Sequence, residues 1–186
     1  MISGSARGHR LKVPKGWRVR PTADRVKESV FNLLRVEWET CRVLDLFAGS
    51  GALGIEALSR GAAEAVFVEA DPRSVSVIRE NLRSCGLEIR ARVIRGDALR
   101  FLVARRGAGD FTLIFADPPY ERGLARGCLE RADRASWLAL GGRMVVEHSR
   151  RESPPEHLTS LTLLDHRPYG DTRISIYIRA NEANEA

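Results

Sequence analysis

The chain has few cysteines and no long apolar run. Its 186 residues include three cysteines, Cys41, Cys85 and Cys128, which lie far apart and form no Cys-x-x-Cys motif. An odd number of isolated cysteines argues against a disulfide framework and gives no ligand spacing for a metal. No apolar segment approaches the roughly 20 residues of a membrane-spanning helix, and no signal-like segment follows Met1. We therefore expect a cytoplasmic protein with no bound metal and no membrane partner.

Acidic residues are scarce only at the start of the chain, which concentrates the positive charge there. The net charge is +6, and residues 1–42 contain ten Lys/Arg against four Asp/Glu. A localised basic arm is typical of contact with a polyanion, most commonly a nucleic acid. A solvated terminal hairpin is the alternative. The basic residues predicted to contact nucleic acid are Arg7, Arg10, Lys12, Arg18, Arg20 and Arg25.

From residue 42 onward the sequence alternates between short apolar segments and amphipathic ones. Strands are predicted at 42–47, 65–69, 92–95, 111–116 and 143–147, and helices at 51–60, 72–84, 98–106 and 123–137. This alternation predicts a parallel, doubly wound α/β sheet. Two further strands, 161–167 and 173–179, flank a turn and predict an antiparallel hairpin at the sheet edge.

The remaining segments complete the predicted organisation. A helix of about a dozen residues is expected from Pro21, because Val26, Val30 and Leu33 recur at helical spacing. Residues 1–21 are predicted to form a basic β-hairpin or an extended arm. We expect a single domain over 22–179 and a frayed tail over 180–186.

A glycine-rich loop follows the first predicted strand. Gly49, Gly51 and Gly54 satisfy the pattern Gly-x-Gly-x-x-Gly between a strand and a helix, where glycines permit a tight turn and a close ligand approach. Glu69 closes the next strand, where an acid can hold ribose hydroxyls. Both NAD and S-adenosylmethionine use such parts, so an NAD-dependent oxidoreductase remains an alternative.

Acids at the strand ends favour S-adenosylmethionine. Asp45 near the loop would repel a pyrophosphate but tolerate the positive sulfonium. Asp97 ends the third strand, where it could accept from an adenine amino group. The candidate cofactor residues are Asp45, Phe47, Ala48, Gly49, Ser50, Gly51, Glu69, Asp97 and Ala98.

The fourth strand ends in Asp117-Pro118-Pro119-Tyr120. The prolines fix the turn and remove N–H donors, so a backbone carbonyl can face a ligand. Asp117 offers a carboxylate and Tyr120 a stacking face. Together they suit a planar base with an exocyclic amino group, a target for methyl transfer. We predict catalytic roles for Asp117, Pro118, Pro119 and Tyr120.

These segments also carry a family resemblance. Residues 45–62 together with 117–120 resemble the class I methyltransferases that modify amino groups. Residues 1 to about 179 are similar to the bacterial methyltransferases that act on a guanine N2 of 16S ribosomal RNA, most specifically at 20–32. The resemblance implies a Rossmann-like fold with a mostly parallel seven-stranded sheet and S-adenosylmethionine as methyl donor. It also implies 16S ribosomal RNA, within a small-subunit particle, as substrate.

Other functions fit parts of the pattern. Asp-Pro-Pro-Tyr does not name the amine, so a DNA adenine N6 or a protein glutamine methyltransferase remains an alternative. However, 186 residues leave little room for a DNA target-recognition domain, and a glutamine enzyme would more typically have Asn at position 117. A non-catalytic RNA-binding protein is a further alternative, which the intact Asp117 and Tyr120 disfavour. We expect the protein to be a monomer.

Overall fold

The structure is a computed structural model, and it describes residues 1–14, 21–34, 36–104 and 109–180. The helices are α1 (Pro21–Leu33), α2 (Ala52–Ser59), α3 (Pro72–Ser84), α4 (Ala98–Ala104) and α5 (Leu124–Arg134). The strands are β1 (Arg42–Leu46), β2 (Glu64–Glu69), β3 (Ala91–Arg95), β4 (Phe111–Ala116), β5 (Leu138–Ser149), β6 (Leu161–Tyr169) and β7 (Thr172–Arg179). Short 3₁₀ turns lie at Trp38–Thr40 and Glu88–Arg90.

The strands form one seven-stranded mixed sheet in the order β3-β2-β1-β4-β5-β7-β6. The predicted fold class, a mostly parallel α/β sheet with a C-terminal antiparallel hairpin, is confirmed. The described residues divide into two compact units, here named the N-terminal unit (Met1–Gly96) and the C-terminal unit (Asp97–Ala186). The single domain over 22–179 stays a prediction. Among the described residues, no helix is long and apolar enough to cross a membrane.

In the N-terminal unit, β1, β2 and β3 pair in parallel, with Leu44 beside Val66 and Phe67 beside Val93. Four of the five β1 residues are buried, as expected for a strand covered on both faces. Asp71 caps α3, because its Oδ1 accepts from Arg73 N at 2.9 Å, and a proline occupies the first turn.

The first 14 residues contain turns but no strand, so the hairpin interpretation does not hold there. Instead the segment packs against α2. Ile2 N and Ser3 N donate to the two carboxylate oxygens of the buried Glu56, at 2.9 and 3.0 Å. Gly4 has φ +79°, and a Cβ there would lie 1.7 Å from the Ser59 carbonyl oxygen. The arm is therefore docked through backbone contacts that a side chain at position 4 would block.

In the C-terminal unit, β4 and β5 pair in parallel, whereas β5–β7 and β6–β7 are antiparallel. β5 begins at Leu138, five residues before the predicted start. The difference arises at Gly141-Gly142, which indicate a turn in the sequence. In the structure Gly141 has φ +73°, and the β4–β5 register shifts between Phe111 and Leu113. The glycines thus form an irregularity within a strand.

Helix α5 ends at Arg134, three residues before its predicted end. The helix ends because Ser136 has φ +56°, and Trp137 N donates back to the Ala132 carbonyl at 3.1 Å. The Trp137 indole N–H donates to the Leu102 carbonyl at 2.9 Å, and its ring stacks on Phe101 with centroids 5.1 Å apart.

Candidate active site

The glycine loop follows β1 and has an unusual backbone. Phe47, Gly49 and Gly51 have φ of +57°, +57° and +79°. The turn closes where Gly51 N donates to the Ala48 carbonyl at 2.7 Å. The φ of Gly51 favours glycine, and a Cβ there would make a tight contact of 3.1 Å with Ile55 Cδ1.

Glu69 at the end of β2 holds the loop from one side. Its Oε2 accepts from Gly49 N at 2.8 Å, and its Oε1 accepts from Asp71 N at 2.8 Å. Its backbone carbonyl accepts from Gly96 N at 3.0 Å. A carboxylate has about four acceptor sites. The bonds from Gly49 N and Asp71 N use two of them, so the half-buried Glu69 can still accept from ribose hydroxyls.

Asp45 binds the start of the helix that follows the loop. It is only 2% exposed, and its Oδ2 accepts from Gly54 N, in the first turn of α2, at 2.9 Å. Burial raises the pKa of Asp45 to about 7, although the Gly54 N–H opposes this, and the negative Glu69 adds to the rise. The structure gives Asp45 a buried hydrogen bond that fixes the helix start. Its predicted role toward a cofactor stays a prediction.

Gly54 makes this contact possible. A Cβ at that position would lie 2.4 Å from Phe67 Cε1 and 3.1 Å from Asp45 Oδ2. Because Phe67 is fully buried, its ring has little room to move. The third glycine of the motif therefore serves the close packing of α2 on β2.

Asn81 on α3 was not singled out in the sequence, yet it joins the arm to the glycine loop. Its Nδ2 donates to the Ser50 and Lys12 carbonyls, each at 2.9 Å, and its Oδ1 accepts from Lys12 N at 2.8 Å. The side chain is 1% exposed. These partners lie 31 and 69 residues away in sequence, so no local pattern could have revealed them.

The N-terminal unit thus offers parts that fit an adenosyl cofactor. Gly49 and Gly51 allow close approach of a ligand to the backbone, and Glu69 offers acceptors for ribose. Ser50 and Phe47 are half-buried, whereas Ala48 is buried.

The predicted cofactor residues Asp97 and Ala98 belong to the C-terminal unit. Asp97 is exposed, and its Oδ1 accepts from Arg100 N at 2.8 Å, which is the geometry of a helix N-cap. Ala98 is the buried first residue of α4. Asp97 therefore has a structural task in addition to any contact with a ligand.

The Asp117–Tyr120 turn follows β4, and its four side chains lie in different environments. Asp117 and Pro119 are exposed, Pro118 is buried, and Tyr120 is half-buried. No cis peptide bond occurs among the described residues. The turn thus combines an exposed acid, a rigid backbone and an aromatic ring that is partly enclosed.

The Tyr120 hydroxyl is held by two other strands of the same unit. It donates to a carboxylate oxygen of Glu147 on β5, and it lies 2.9 Å from Thr172 Oγ1 on β7. Burial and the Glu147 hydrogen bond raise the pKa of Tyr120, with smaller contributions from the charges of Glu147 and Asp117, while Thr172 opposes them. The phenol therefore stays protonated at neutral pH, which suits a stacking platform better than a base.

The predicted nucleic-acid contacts divide into three groups. Arg7 and Arg10 are exposed on the docked arm. Lys12 is also exposed, but its Nζ pairs with Glu80 at 2.5 Å. Arg18 and Arg20 lie outside the described residues, as does the side chain of Arg25. Within the described part of the chain, no group of three or more His, Cys, Asp or Glu side chains could hold a metal ion.

Comparison with known proteins identifies the family. A family model described as "Conserved hypothetical protein 95" (Cons_hypoth95) matches residues 1–178. The chain belongs to this family.

Its relatives include named ribosomal RNA methyltransferases. The chain is 42% identical over 179 residues to YlbH of Bacillus subtilis, which carries a provisional name as an rRNA methyltransferase, covering 95% of this chain and 97% of the relative. It is 36% identical to ribosomal RNA small subunit methyltransferase D of Escherichia coli, covering 96% of this chain and 89% of the relative.

Solved structures share the fold. The provisionally named methyltransferase YhhF of Escherichia coli superposes with a TM-score of 0.85 at 35% identity, covering 98% of each chain. An RNA methyltransferase of Salinibacter ruber, solved with S-adenosylhomocysteine, has a TM-score of 0.65 at 19% identity, covering 90% of this chain and 98% of the other. The predicted methyltransferase class is confirmed by these family and fold relationships.

Proposed function

We propose that the protein transfers a methyl group from S-adenosylmethionine to the exocyclic N2 amino group of a guanosine in 16S ribosomal RNA. The observation that carries the proposal is the exposed Asp117 beside a fixed diproline and an anchored Tyr120. This combination provides two acceptors and one aromatic face on a rigid turn. The rRNA methyltransferases among the relatives support RNA as the molecule that carries the amino group.

The cofactor supplies an electrophilic methyl group on a positively charged sulfur. Gly49 and Gly51 would let it approach the backbone, and Glu69 would accept from its ribose hydroxyls. Asp45 would act mainly by holding the start of α2 through Gly54 N. Asp97 would accept from the adenine amino group with the capacity left beside its bond to Arg100 N.

The amino nitrogen of guanine is a poor nucleophile because its lone pair is delocalised into the ring. Hydrogen bonds from the amino hydrogens to the Asp117 carboxylate and the Pro118 carbonyl would favour a pyramidal nitrogen. Its lone pair would then point towards the methyl group. Most of the rate gain would come from positioning and from negative charge placed where positive charge develops.

Proton removal follows from the same geometry. Once the bound cofactor had supplied its methyl group, the amine would be cationic and would have to lose one proton. A free aspartate has a pKa of about 3.9 and is a weak base. It is sufficient here because the methylated cationic amine is a strong acid. Asp117 would accept this proton after transfer.

Tyr120 would stack on the base once the base has left its neighbours in the RNA. Enzymes that act on a base must first expose it, and single-stranded or splayed RNA bases are commonly held by aromatic side chains. Its phenol, held on β5 and β7, stays protonated, so the ring itself carries no charge.

The docked arm would contact RNA phosphates through Arg7 and Arg10, which are exposed. We further propose that the substrate is RNA within a small-subunit particle, and that the enzyme is a cytoplasmic monomer. The resemblance of residues 1 to about 179 to enzymes of this kind supports this part of the proposal.

The test is Asp117→Ala with radiolabelled S-adenosylmethionine and small-subunit particles that lack the modification. We expect methyl transfer to fall by at least about 100-fold, because charge-stabilising groups contribute this much. Cofactor affinity measured by calorimetry should change little. The matched control is Asp110→Ala, an acid just before β4, which should retain activity. Turnover like that of the unmodified protein in Asp117→Ala would contradict the proposal.

A further inference from the structure

Two residues outside the Asp117–Tyr120 turn hold its aromatic ring. Glu147 is half-buried on β5, and Thr172 is 9% exposed at the start of β7. β5 and β7 are antiparallel neighbours, with Ser149 opposite Thr172 and Glu147 opposite Ile174. The Tyr120 hydroxyl therefore contacts two adjacent strands of a continuous ladder, and not a mobile loop.

The hydrogen-bond roles can be assigned from chemistry. A phenol has one proton, and it goes to the Glu147 carboxylate, which can only accept. The Thr172 hydroxyl must then donate to the Tyr120 oxygen at 2.9 Å. The opposing effects of the two partners on the Tyr120 pKa agree with this assignment, because Glu147 raises it and Thr172 lowers it. The phenol therefore donates one hydrogen bond, to Glu147, and accepts one, from Thr172.

We propose that Glu147 and Thr172 are positioning residues that fix the ring plane of Tyr120 for the substrate base. This inference rests on the proposed function and adds two residues to its site. The ring is anchored at its hydroxyl by β5 and β7 and at its backbone by the turn after β4. Neither residue touches the reacting atoms. Their effect passes through the orientation of the ring, so it depends on the Tyr120 hydroxyl.

A merely structural role makes a different prediction. If the three side chains only join β4 to its neighbours, their loss lowers stability and leaves turnover of the folded protein unchanged. If they position the ring, their loss lowers kcat at a temperature where every variant is folded. The two cases separate in a double-mutant cycle, because residues that act through one group are not additive.

The experiment measures methyl transfer to small-subunit particles by Tyr120→Phe, Thr172→Val, Glu147→Gln and the two double variants with Tyr120→Phe. Tyr120→Phe keeps the ring and removes the hydroxyl, and Thr172→Val keeps the shape and removes the donor. We expect each of these two to lower kcat about 10-fold, since small misplacements of reacting groups cost up to about 100-fold. Glu147→Gln should have a smaller effect, because an amide oxygen can still accept.

The diagnostic result is the lack of additivity. Thr172→Val and Glu147→Gln should have no further effect on kcat in the Tyr120→Phe background. Thr172→Ser, which restores the hydroxyl, should recover most of the activity. Affinity for S-adenosylmethionine should stay within about 2-fold throughout. The matched control is Ser175→Ala, which removes a buried hydroxyl of β7 that bonds to His148 Nε2 at 2.9 Å, and it should leave kcat unchanged.

Two outcomes would overturn the inference alone. Full kcat in folded Thr172→Val would do so, and so would an equal loss from Thr172→Val with and without the Tyr120 hydroxyl. If the unmodified protein does not methylate the particles, the proposed function fails and the inference fails with it. Methyl transfer by the unmodified protein therefore distinguishes failure of the proposed function from failure of the inference alone.

Discussion

The glycine loop and the Asp117–Tyr120 turn both follow buried strands, but they are held in different ways. In the loop, side chains bind the backbone, as Glu69 does with Gly49 N at 2.8 Å. In the turn, prolines fix the backbone, and a side chain, Tyr120, is bound by other side chains.

The difference shows what each region leaves exposed. The two acids of the loop region accept from backbone N–H groups, and Glu69 keeps further acceptor capacity. The glycines, the backbone and Glu69 therefore form the surface that a ligand would meet. The turn is fixed by its prolines, and its acid, Asp117, is exposed. One region is therefore suited to binding by shape and the other to chemistry by a side chain. Variants that loosen the loop should weaken cofactor binding, whereas variants of the turn should change turnover.

The largest effect is expected from Gly54→Ala in the loop region. The new Cβ would lie 2.4 Å from the buried ring of Phe67, which forces α2 away from β2. We expect a loss of about 2 to 3 kcal/mol in the free energy of unfolding, typical of an overpacked core, together with loss of cofactor binding. Chemical denaturation measures the first quantity. The control is Gly96→Ala, because a Cβ there meets nothing within 4 Å. Equal stability of the two variants would show that the close contact is unimportant.

Glu69→Ala sharpens the comparison by removing the loop's acceptor. It leaves Gly49 N and Asp71 N without their partner, which should cost about 1 kcal/mol each, the low end of the usual range, because Glu69 is half-buried and water can reach the site. We expect affinity for S-adenosylmethionine to fall at least about 10-fold in calorimetry. Glu64→Ala, at the opposite end of β2, loses only an exposed ion pair with Arg42 and should bind normally. If both variants bind equally well, Glu69 does not hold the cofactor site.

Asp45 gives the loop a dependence on pH. Its pKa is raised to about 7 in the folded protein, above its ordinary value of 3.8, so the folded state binds the proton more tightly than the unfolded state. The protonated acid therefore contributes stability at low pH, and this contribution is lost as pH rises from about 4 to 7. The slope for one proton is at most about 1.4 kcal/mol per pH unit.

Denaturation of the unmodified protein and Asp45→Asn across this range measures the effect. The neutral amide keeps an acceptor for Gly54 N but cannot ionise. The stability of Asp45→Asn relative to the unmodified protein should rise with pH up to about 7 and then level off. A difference that is constant from pH 4 to 8 would mean that Asp45 titrates normally.

The smallest effect is expected on the docked arm, where Arg7→Gln and Arg10→Gln are combined. Each phosphate contact contributes about 0.7 to the slope of log affinity against log salt for single-stranded RNA. The double variant should therefore lower that slope by about 1.4, with cofactor affinity unchanged. Arg42→Gln, at the start of β1, removes a positive charge away from the arm and should leave the slope unchanged. Substitution is preferable to truncation, since removing the arm would strip the buried Glu56 of two donors.

The alternation of strands and helices was predictable because it depends on local apolar periodicity. The bounds of α3 and β4 agree with the prediction, since Asp71-Pro72 starts one and Asp117-Pro118 follows the other. The glycine loop and the Asp117–Tyr120 turn were also found from sequence, because each carries its constraint within a few residues.

The unpredicted features depend on contacts between distant segments. Glu56 accepts from backbone donors more than 50 residues away, and Asn81 reaches Lys12 across 69 residues. The bond between Glu147 and Tyr120 was not predictable from sequence, because it requires β5 to lie beside the turn. The early start of β5 was missed for a related reason, since Gly141-Gly142 form a strand irregularity only when β4 is in place.

The most direct test of the account is mass analysis of nucleosides from the 16S ribosomal RNA of cells that lack the gene. The account predicts that one N2-methylguanosine is absent, that the unmodified gene restores it, and that the gene with Asp117→Ala does not. An unchanged content of N2-methylguanosine in cells without the gene would contradict the account.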